Sequence, residues 1–407
     1  MQNLPVPLDR RVWMECRALI EADYDVSVIC PRGEGDPPHQ VIDGVEIHKY
    51  RPAPQASGAA GFALEFSYCW LQTARLLARI ARRRRIDAIQ ACNPPDTYWA
   101  LAWPFKARGT KFVFDQHDLC PEVYASRFAD PSEKLIKGLL FLERMTYRVA
   151  DHVISTNESF KTIATERGKR DPDEVTVVRS GPKAAAMTRG EPVAELKKGR
   201  KYLCCYLGIM GPQDGVENVL YAVDELVNQR GRNDIQFALL GFGDCYDDLR
   251  SLSSELGLDQ HVTFTGRADD AMITRYLSTA DLGLSPDPKN EMNDLCTMNK
   301  TLEYMAFGLP VVTFDLQETR VSAGDAAWYA TPNEVSSFAD GIEELLEDEL
   351  RRRAMGQSGR RRIEENLSWE YSAENYIAVY DELLEVDRDA VEKARQNGQP
   401  ALRATSR

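Results

Sequence analysis

The segment Asn293-Asp-Leu-Cys-Thr-Met-Asn-Lys-Thr-Leu-Glu-Tyr-Met-Ala-Phe-Gly-Leu-Pro-Val-Val-Thr-Phe-Asp315 holds a helix start, a helix stop and a buried strand in immediate succession. Thr297 suits a helix N-cap, with Asp294 the alternative. Gly308 is a natural terminator and Pro310 opens a strand, so the spacing predicts a helix over about 298–307. The first residues of such a helix, Met298 and Asn299, present free backbone N–H groups and a positive dipole end, which suits a phosphate. Lys300 and Glu303 lie on neighbouring parts of one face. A Lys near phosphates and a Glu one turn deeper would hold the diphosphate and ribose of a nucleotide. On spacing alone the plainer reading prevails, a surface pair worth a few tenths of a kcal/mol.

Outward from this segment the same grammar repeats. After Asp9, the residues Val12, Cys16, Leu19 and Ile20 recur at helical spacing, and Val26–Cys30 reads as a strand. Further strands are expected at Ile86–Ala91, Lys111–Asp115 and His152–Ser155. Beyond Pro182 the series resumes with Tyr202–Leu207, Ile235–Leu240, Val262–Phe264, Leu282–Leu284 and Pro310–Phe314. Short strands separated by helices imply parallel sheets with helices on both faces. One sheet holding all of them would be unusually large, whereas two sheets joined by the polar stretch Pro182–Lys198 fit the length. The expected division is 1–183, 199–367, a helix over 368–386 with Tyr376, Tyr380 and Leu383 as its apolar stripe, and a charged tail, 387–407, expected to be disordered. No strand precedes the first helix, although a doubly wound domain normally opens with one. The opening strand is therefore either lacking or lies upstream of the stated start.

Composition sets the outer limits. Of 407 residues, 50 are Lys or Arg and 63 are Asp or Glu, giving a net charge of −13. With 43% hydrophobic and 28% charged residues, the chain is a folded one, neither disordered nor fibrous. The acidic total argues against a nucleic-acid partner. No apolar run approaches the roughly 20 residues that span a bilayer. The N-terminal MQNLPVPLDRR has no hydrophobic signal core, so a cytoplasmic location is expected. Nine cysteines, with no CxxC pair, suggest neither disulfides nor zinc. They read as small buried hydrophobes, Cys296 included, although it lies at a helix start where a thiol can become reactive.

EYMAFGLPVV followed by Glu318-Thr-Arg320 resembles the donor-binding segment of retaining family 4 glycosyltransferases, two-domain GT-B enzymes that transfer a sugar from a nucleotide diphosphate. Asn93-Pro-Pro-Asp96, Asp115-Gln-His-Asp-Leu119 with Pro121-Glu122, Ala150-Asp151 with Thr156-Asn-Glu158, Val178-Arg-Ser-Gly-Pro182 and Tyr206-Leu-Gly-Ile-Met-Gly-Pro-Gln-Asp-Gly215 extend the likeness over nearly the whole chain. Each is weak alone; order and spacing make the resemblance strong. The nearest type is the WbuB-like branch of polysaccharide and glycoconjugate gene sets. The resemblance implies an α/β GT-B fold: two Rossmann-like domains with parallel sheets facing across a cleft, and a C-terminal helix crossing back to the first domain.

It also implies roles. Glu303 takes the ribose hydroxyls, for which a carboxylate is a suitable double acceptor. Gly208, Gly211 and Gly215 form a loop after a strand, where small residues let backbone approach a phosphate or sugar. Gly241, Gly243 and Arg267 follow later strands and are placed near the base. Asp294, Thr297, Met298, Asn299 and Lys300 complete the donor set. His117 would face the donor sugar, to hydrogen-bond it or to stabilise developing charge, and Asp118 and Glu122 would orient it or help bind the acceptor. A lone His is more often structural; the match raises the functional reading above that. Two departures stand out. Leu295 replaces the first Glu of the Glu-x7-Glu pair that ends at Glu303, with Asp294 and Glu291 nearby. Ile209 and Asp214 replace the Arg and Lys of the glycine loop. Lys300, helix-end amides and Arg320 would then neutralise the diphosphate, with no metal and no cofactor.

The first domain is expected to bind the acceptor, whether glycan, lipid-linked or a small molecule. Phe62, Leu64, Phe66, Trp70, Leu71 and Leu77 precede Arg75, Arg79 and Arg82-Arg-Arg-Arg85. This suits either a core helix ending in a solvated basic turn, the stronger reading, or a peripheral membrane contact. Two other functions compete with transfer: a GT-B binding or partner subunit without activity, and a nucleotide-sugar epimerase of the same fold.

Overall fold

The computed structural model describes residues 4–53, 58–127, 130–389 and 391. The chain divides into two compact units. The first comprises Met1–Tyr124, Asp130–Val178 and Ser372–Arg407; the second comprises Ala125–Ala129 and Arg179–Tyr371.

In the first unit the opening helix, Arg10–Glu21, is capped by Asp9, whose Oδ1 accepts from the Val12 N–H at 3.0 Å. Its apolar stripe, Val12 and Cys16, packs on strands β1 (Ser27–Pro31) and β3 (Val45–Tyr50) through Val28, Cys30, Val45 and Ile47. Between them in sequence, β2 (His39–Ile42) pairs antiparallel with β3, and the sheet order is β1-β3-β2. The segment holding His39 and His48 is thus a hairpin, and these two residues are cross-strand partners. Asp43-Gly44 makes its turn with φ of 48° and 87°, the left-handed pair that a two-residue hairpin turn needs. A separate parallel sheet holds β4 (Ala88–Cys92), β5 (Lys111–Gln116), β6 (His152–Ser155) and β7 (Val175–Val177), in that order. Among the described residues no strand precedes the first helix.

The last helix, Trp369–Leu383, leaves the second unit and packs into the first. Its buried stripe is Tyr376, Val379 and Tyr380, with Leu383 half-buried. Both tyrosine hydroxyls donate to Gln90 Oε1 on β4, Tyr376 at 2.6 Å. The tail is held further than charge alone suggests. Arg388 donates to Asp381 Oδ2 at 2.7 Å and to the Ala22 carbonyl at 2.7 Å, and Val391 is buried. Composition missed these contacts because one Arg and one Val make them. Residues 390 and 392–407 of the tail lie outside the described residues.

The second unit has one six-stranded sheet. Its strands are β8 (Tyr202–Ile209), β9 (Ile235–Phe242), β10 (Val262–Gly266), β11 (Leu282–Ser285), β12 (Val311–Phe314) and β13 (Ala327–Ala330), all parallel in the order β10-β9-β8-β11-β12-β13. Both faces are covered, one by a core around Tyr206, Phe237 and Phe338, the other around Leu203, Tyr304 and Ile363. This explains why its strands read as continuous apolar runs. No helix among the described residues is long and apolar enough to cross a membrane. All nine cysteines are free thiols.

Candidate active site

The order of the second sheet locates a crevice. From β8 the chain builds outward to β9 and β10, then returns to lay β11 on the other side of β8. The C-terminal ends of β8 and β11 therefore flank the topological switch point, where open α/β sheets take their ligands. Gly208 ends β8 opposite Gly241 of β9, and a Cβ on Gly241 would lie 1.8 Å from the Gly208 carbonyl oxygen. Gly215 has φ of 61°, and a Cβ there would meet the Pro286 carbonyl at 2.7 Å. Gly211 N–H donates to Asp214 Oδ2 at 3.0 Å, closing the loop between them. A Cβ on Gly243 would lie 2.5 Å from the Met210 carbonyl, and the Arg267 guanidinium lies 5.3 Å from the Phe242 ring.

The helix expected over about 298–307 spans Asn299–Ala306. Its N-cap position is Met298, whose side chain makes no capping bond. Thr297 does not serve as expected. The capping in this region goes to Asn290, whose Oδ1 accepts from Asn293 N–H at 2.8 Å to start the short helix Glu291–Leu295. Asp294, the alternative cap, instead accepts from Gln317 N–H at 2.8 Å and faces Lys289 at 3.3 Å. Tyr304 fastens the helix to the switch point. Its hydroxyl donates to the Leu284 carbonyl at 3.0 Å and accepts from Leu207 N–H at 2.7 Å. The ring lies on Gly283, where a Cβ would come within 2.3 Å of it.

Lys300 is buried beneath the glycine loop, and its Nζ lies 2.5 Å from Asp287 Oδ1 and 3.9 Å from Asp214 Oδ1. Asp287, almost fully buried, also accepts from Ser285 Oγ at 2.7 Å. Arg320, the second cation expected near the diphosphate, donates to Asp315 Oδ2 at 2.7 Å and lies over the Tyr329 ring. Both cations are therefore already balanced by carboxylates. Sequence spacing had no means of finding Asp287, which reaches Lys300 only because β11 ends beside β8. Glu303 is half-buried one turn after Asn299, and Cys296 is half-buried.

In the first unit, His117 follows β5 directly. Asn93 Oδ1 accepts from the N–H groups of His117 at 2.7 Å and Asp118 at 3.1 Å, while Asn93 Nδ2 donates to the Asp118 carbonyl at 2.7 Å. The His117 Nε2 lies 2.6 Å from Asp115 Oδ2. Asp115 is wholly buried and also accepts from Arg11 Nη2 at 2.8 Å and Gln90 Nε2 at 2.9 Å. Burial alone would raise its carboxyl, but Arg11 and His117 outweigh burial and hold it well below the ordinary carboxylate range. Glu15, on the same helix face as Arg11, is pushed well up by burial and by Asp115. Glu122 does not face His117: it pairs with Arg167, which also binds Glu143 at 2.6 Å. The group that touches the imidazole is Asp115, two residues back on the strand. Gln90 and Arg11 behind it carried no motif signal.

The two α/β units, with loops gathered at the ends of β8, β9 and β11, have the GT-B fold. A family model described as "Glycosyl transferase 4-like domain" matches residues 8–181, and one described as "Glycosyl transferases group 1" matches residues 201–348. The chain belongs to the family 4 glycosyltransferases. It is similar to the alpha-D-kanosaminyltransferase of Streptomyces kanamyceticus, with 32% identity over 151 residues, 36% of this chain and 37% of that protein. Several curated relatives that it matches are spanned over only 37% to 61% of their own length, while spore coat protein SA of Bacillus subtilis, at 22% identity, is spanned over 97%. Among solved structures, sucrose-phosphate synthase from Thermosynechococcus elongatus superposes with a TM-score of 0.72 at 18% identity, covering 92% of this chain and 93% of that one. HepE of Anabaena in complex with UDP-glucose gives 0.67 at 14% identity, covering 94% and 98%. At such identities these two show the fold.

Proposed function

We propose that the chain is a retaining transferase that moves a hexosyl or N-acetylhexosaminyl group from a nucleotide-diphosphate donor to a glycan, lipid-linked or small-molecule acceptor. The observation that carries this reading is the convergence at one switch point of Gly208, Gly215, Gly241 and the helix bearing Lys300 and Glu303. In the proposal, Glu303 takes the ribose hydroxyls and the start of the helix faces the diphosphate. Lys300 and the loop amides supply the remaining positive potential without a metal. His117 contacts the donor sugar, and the departing phosphate takes the acceptor's proton.

The acceptor side is read from a cleft of about 590 Å³ in the first unit, lined by Arg32, His39, His48, Arg75, Arg79 and Arg83 among others. Among the described residues its lining has no acidic side chain, and although Glu46 meets both histidines and Asp36 pairs with Lys49 behind it, the arginines leave it positive, which suits an anionic acceptor or an anionic lipid surface. A cytoplasmic, membrane-peripheral setting follows from that proposal. The pairing of Lys300 with Asp287, together with Leu295 in place of a Glu, favours a second reading, a sugar-nucleotide-binding subunit without transfer.

Glu303→Ala tests the first reading. Loss of charge-assisted hydrogen bonds worth roughly 1.5–3 kcal/mol should weaken donor binding about ten- to hundredfold across a panel of nucleotide sugars. An unchanged donor affinity and turnover in a folded variant would refute the assignment. Donor binding with no transfer to any acceptor would favour the second reading.

A further inference from the structure

We infer that Asp115, braced by Arg11 and Gln90, is the positioning residue of His117: it fixes the imidazole as the Nε2–H tautomer, so that Nδ1 accepts a hydrogen bond from a substrate hydroxyl. The inference rests on the transferase reading and deepens it, because it changes what His117 offers. A neutral imidazole held this way is an acceptor. It cannot donate from Nδ1 to a sugar oxygen or to developing negative charge.

Two contacts compete for one nitrogen. Arg11 Nε lies 3.0 Å from His117 Nε2, in a geometry that would make Nε2 an acceptor. Asp115 Oδ2 lies 2.6 Å from the same atom, which requires Nε2 to carry the proton. A bare Nε2 would set a nitrogen lone pair against a carboxylate oxygen at that distance, inside a site with little water to screen it. A proton between them turns this repulsion into a short charge-assisted bond. Arg11 loses little by this, since its Nη1 and Nη2 keep the Val178 carbonyl and Asp115 Oδ1, and its Nε lies within ion-pair distance, 3.0 Å, of Glu15 Oε1, a buried oxygen without a hydrogen-bond partner among the described residues. The carboxylate therefore wins the nitrogen.

The surroundings make this choice rigid. Asp115 is fully buried and has Arg11 Nη2 on one oxygen and Gln90 Nε2 on the other. Arg11 is itself fixed by donating from Nη1 to the Val178 carbonyl at 2.8 Å. Gln90 cannot turn over, because Tyr376 and Tyr380 both donate to its Oε1. That orientation forces its NH2 toward Asp115 and toward Glu15 Oε2 at 2.9 Å. Asn93 holds the backbone on either side of the ring. Among the described residues nothing bonds Nδ1, and the His117 side chain is 18% exposed. The exposed nitrogen is thus the lone-pair one.

Nitrogen-15 NMR of histidine-labelled protein, with His117 assigned by its loss in His117→Gln, reads the tautomer directly in the unaltered chain. A proton on Nε2 with Nδ1 bare is expected; a proton on Nδ1, alone or together with one on Nε2, overturns the inference. Kinetics give the second arm. Asp115→Asn should lower kcat about a hundred- to ten-thousandfold, the scale seen when a catalytic histidine is left in the wrong tautomer. Donor KM should stay within about twofold, and Asp115→Asn should add no further loss in a His117→Gln background. An unchanged kcat, or losses that multiply, would also overturn it. If no nucleotide sugar is transferred at all, the transferase reading falls, while the tautomer measurement still decides the geometry.

Discussion

Tyr376 tests how the last helix is held in the first unit. It is 1% exposed, and its ring meets that of Tyr380 edge-on with centroids 5.3 Å apart. Tyr376→Phe removes only the hydroxyl that donates to Gln90 Oε1, and Tyr380 still serves that oxygen. The cost should be about 0.5–1.5 kcal/mol. Tyr376→Ala removes the ring from a site that close packing keeps from collapsing, and should cost about 3–5 kcal/mol. Tyr371→Ala, at a 49% exposed position five residues earlier on another face of the same helix, should stay within about 0.5 kcal/mol. Urea unfolding of the three variants, followed by fluorescence and circular dichroism, gives the ranking. A helix that merely covers the surface loosely would show Tyr376→Ala costing no more than Tyr371→Ala. A Phe variant as damaged as the Ala variant would show instead that the hydroxyl, and not the buried ring, carries the contact.

Three further outcomes are expected. Burial, partly offset by hydrogen bonds from Cys120 and Asn93, raises Asp96 from 3.8 to about 6. The folded chain therefore keeps a proton that the unfolded chain releases, so this residue's contribution to stability falls as pH rises from about 4 to about 6; Asp96→Asn should abolish that slope and gain up to about 3 kcal/mol on the wild type at pH 7, and equal pH dependence in both proteins would contradict this. Gly283→Ala would drive a methyl into the Tyr304 ring, cost about 1–3 kcal/mol and weaken donor binding through the displaced helix; calorimetry showing a neutral change would argue that the ring is not seated as described. Transfer should persist in excess chelator, since Lys300, loop amides and helix dipole are proposed to face the diphosphate; complete loss, restored by Mg²⁺ or Mn²⁺, would overturn the metal-free reading.

Local signals carried far in the second unit because both faces of its sheet are buried. Strands such as Tyr202–Ile209 and Ile235–Phe242 then announce themselves as apolar runs, and glycines mark the loops that follow. The first unit was harder to read. Its hairpin at His39–Tyr50 carries polar and apolar residues mixed at a sheet edge and gives no apolar run, so Asp43-Gly44 is the one local signal of the turn. The cap expected at Thr297 or Asp294 goes elsewhere because Asn290 takes the Asn293 N–H to start the preceding short helix and Asp294 takes the Gln317 N–H, and only the fold decides which N–H groups lie near.

Legible from local pattern were the α/β class, the two halves of the chain, the glycine loops and the Lys300–Glu303 face, since each depends on neighbours within a few residues; the two sheets expected are three, because the first unit's strands divide into β1-β3-β2 and β4-β5-β6-β7. Tertiary structure alone decided the charges. Asp287 reaches Lys300 because β11 lies beside β8, and Asp115 reaches Arg11, Gln90 and His117 because a helix, two strands and a loop converge. Whether a buried cation stands open to a ligand or is already paired depends on distances of a few ångströms between groups up to a hundred residues apart in the chain, as with Arg11 and Asp115. Such pairings leave no periodic trace, because a single partner at any separation satisfies a charge, whereas burial must repeat along an element to be felt.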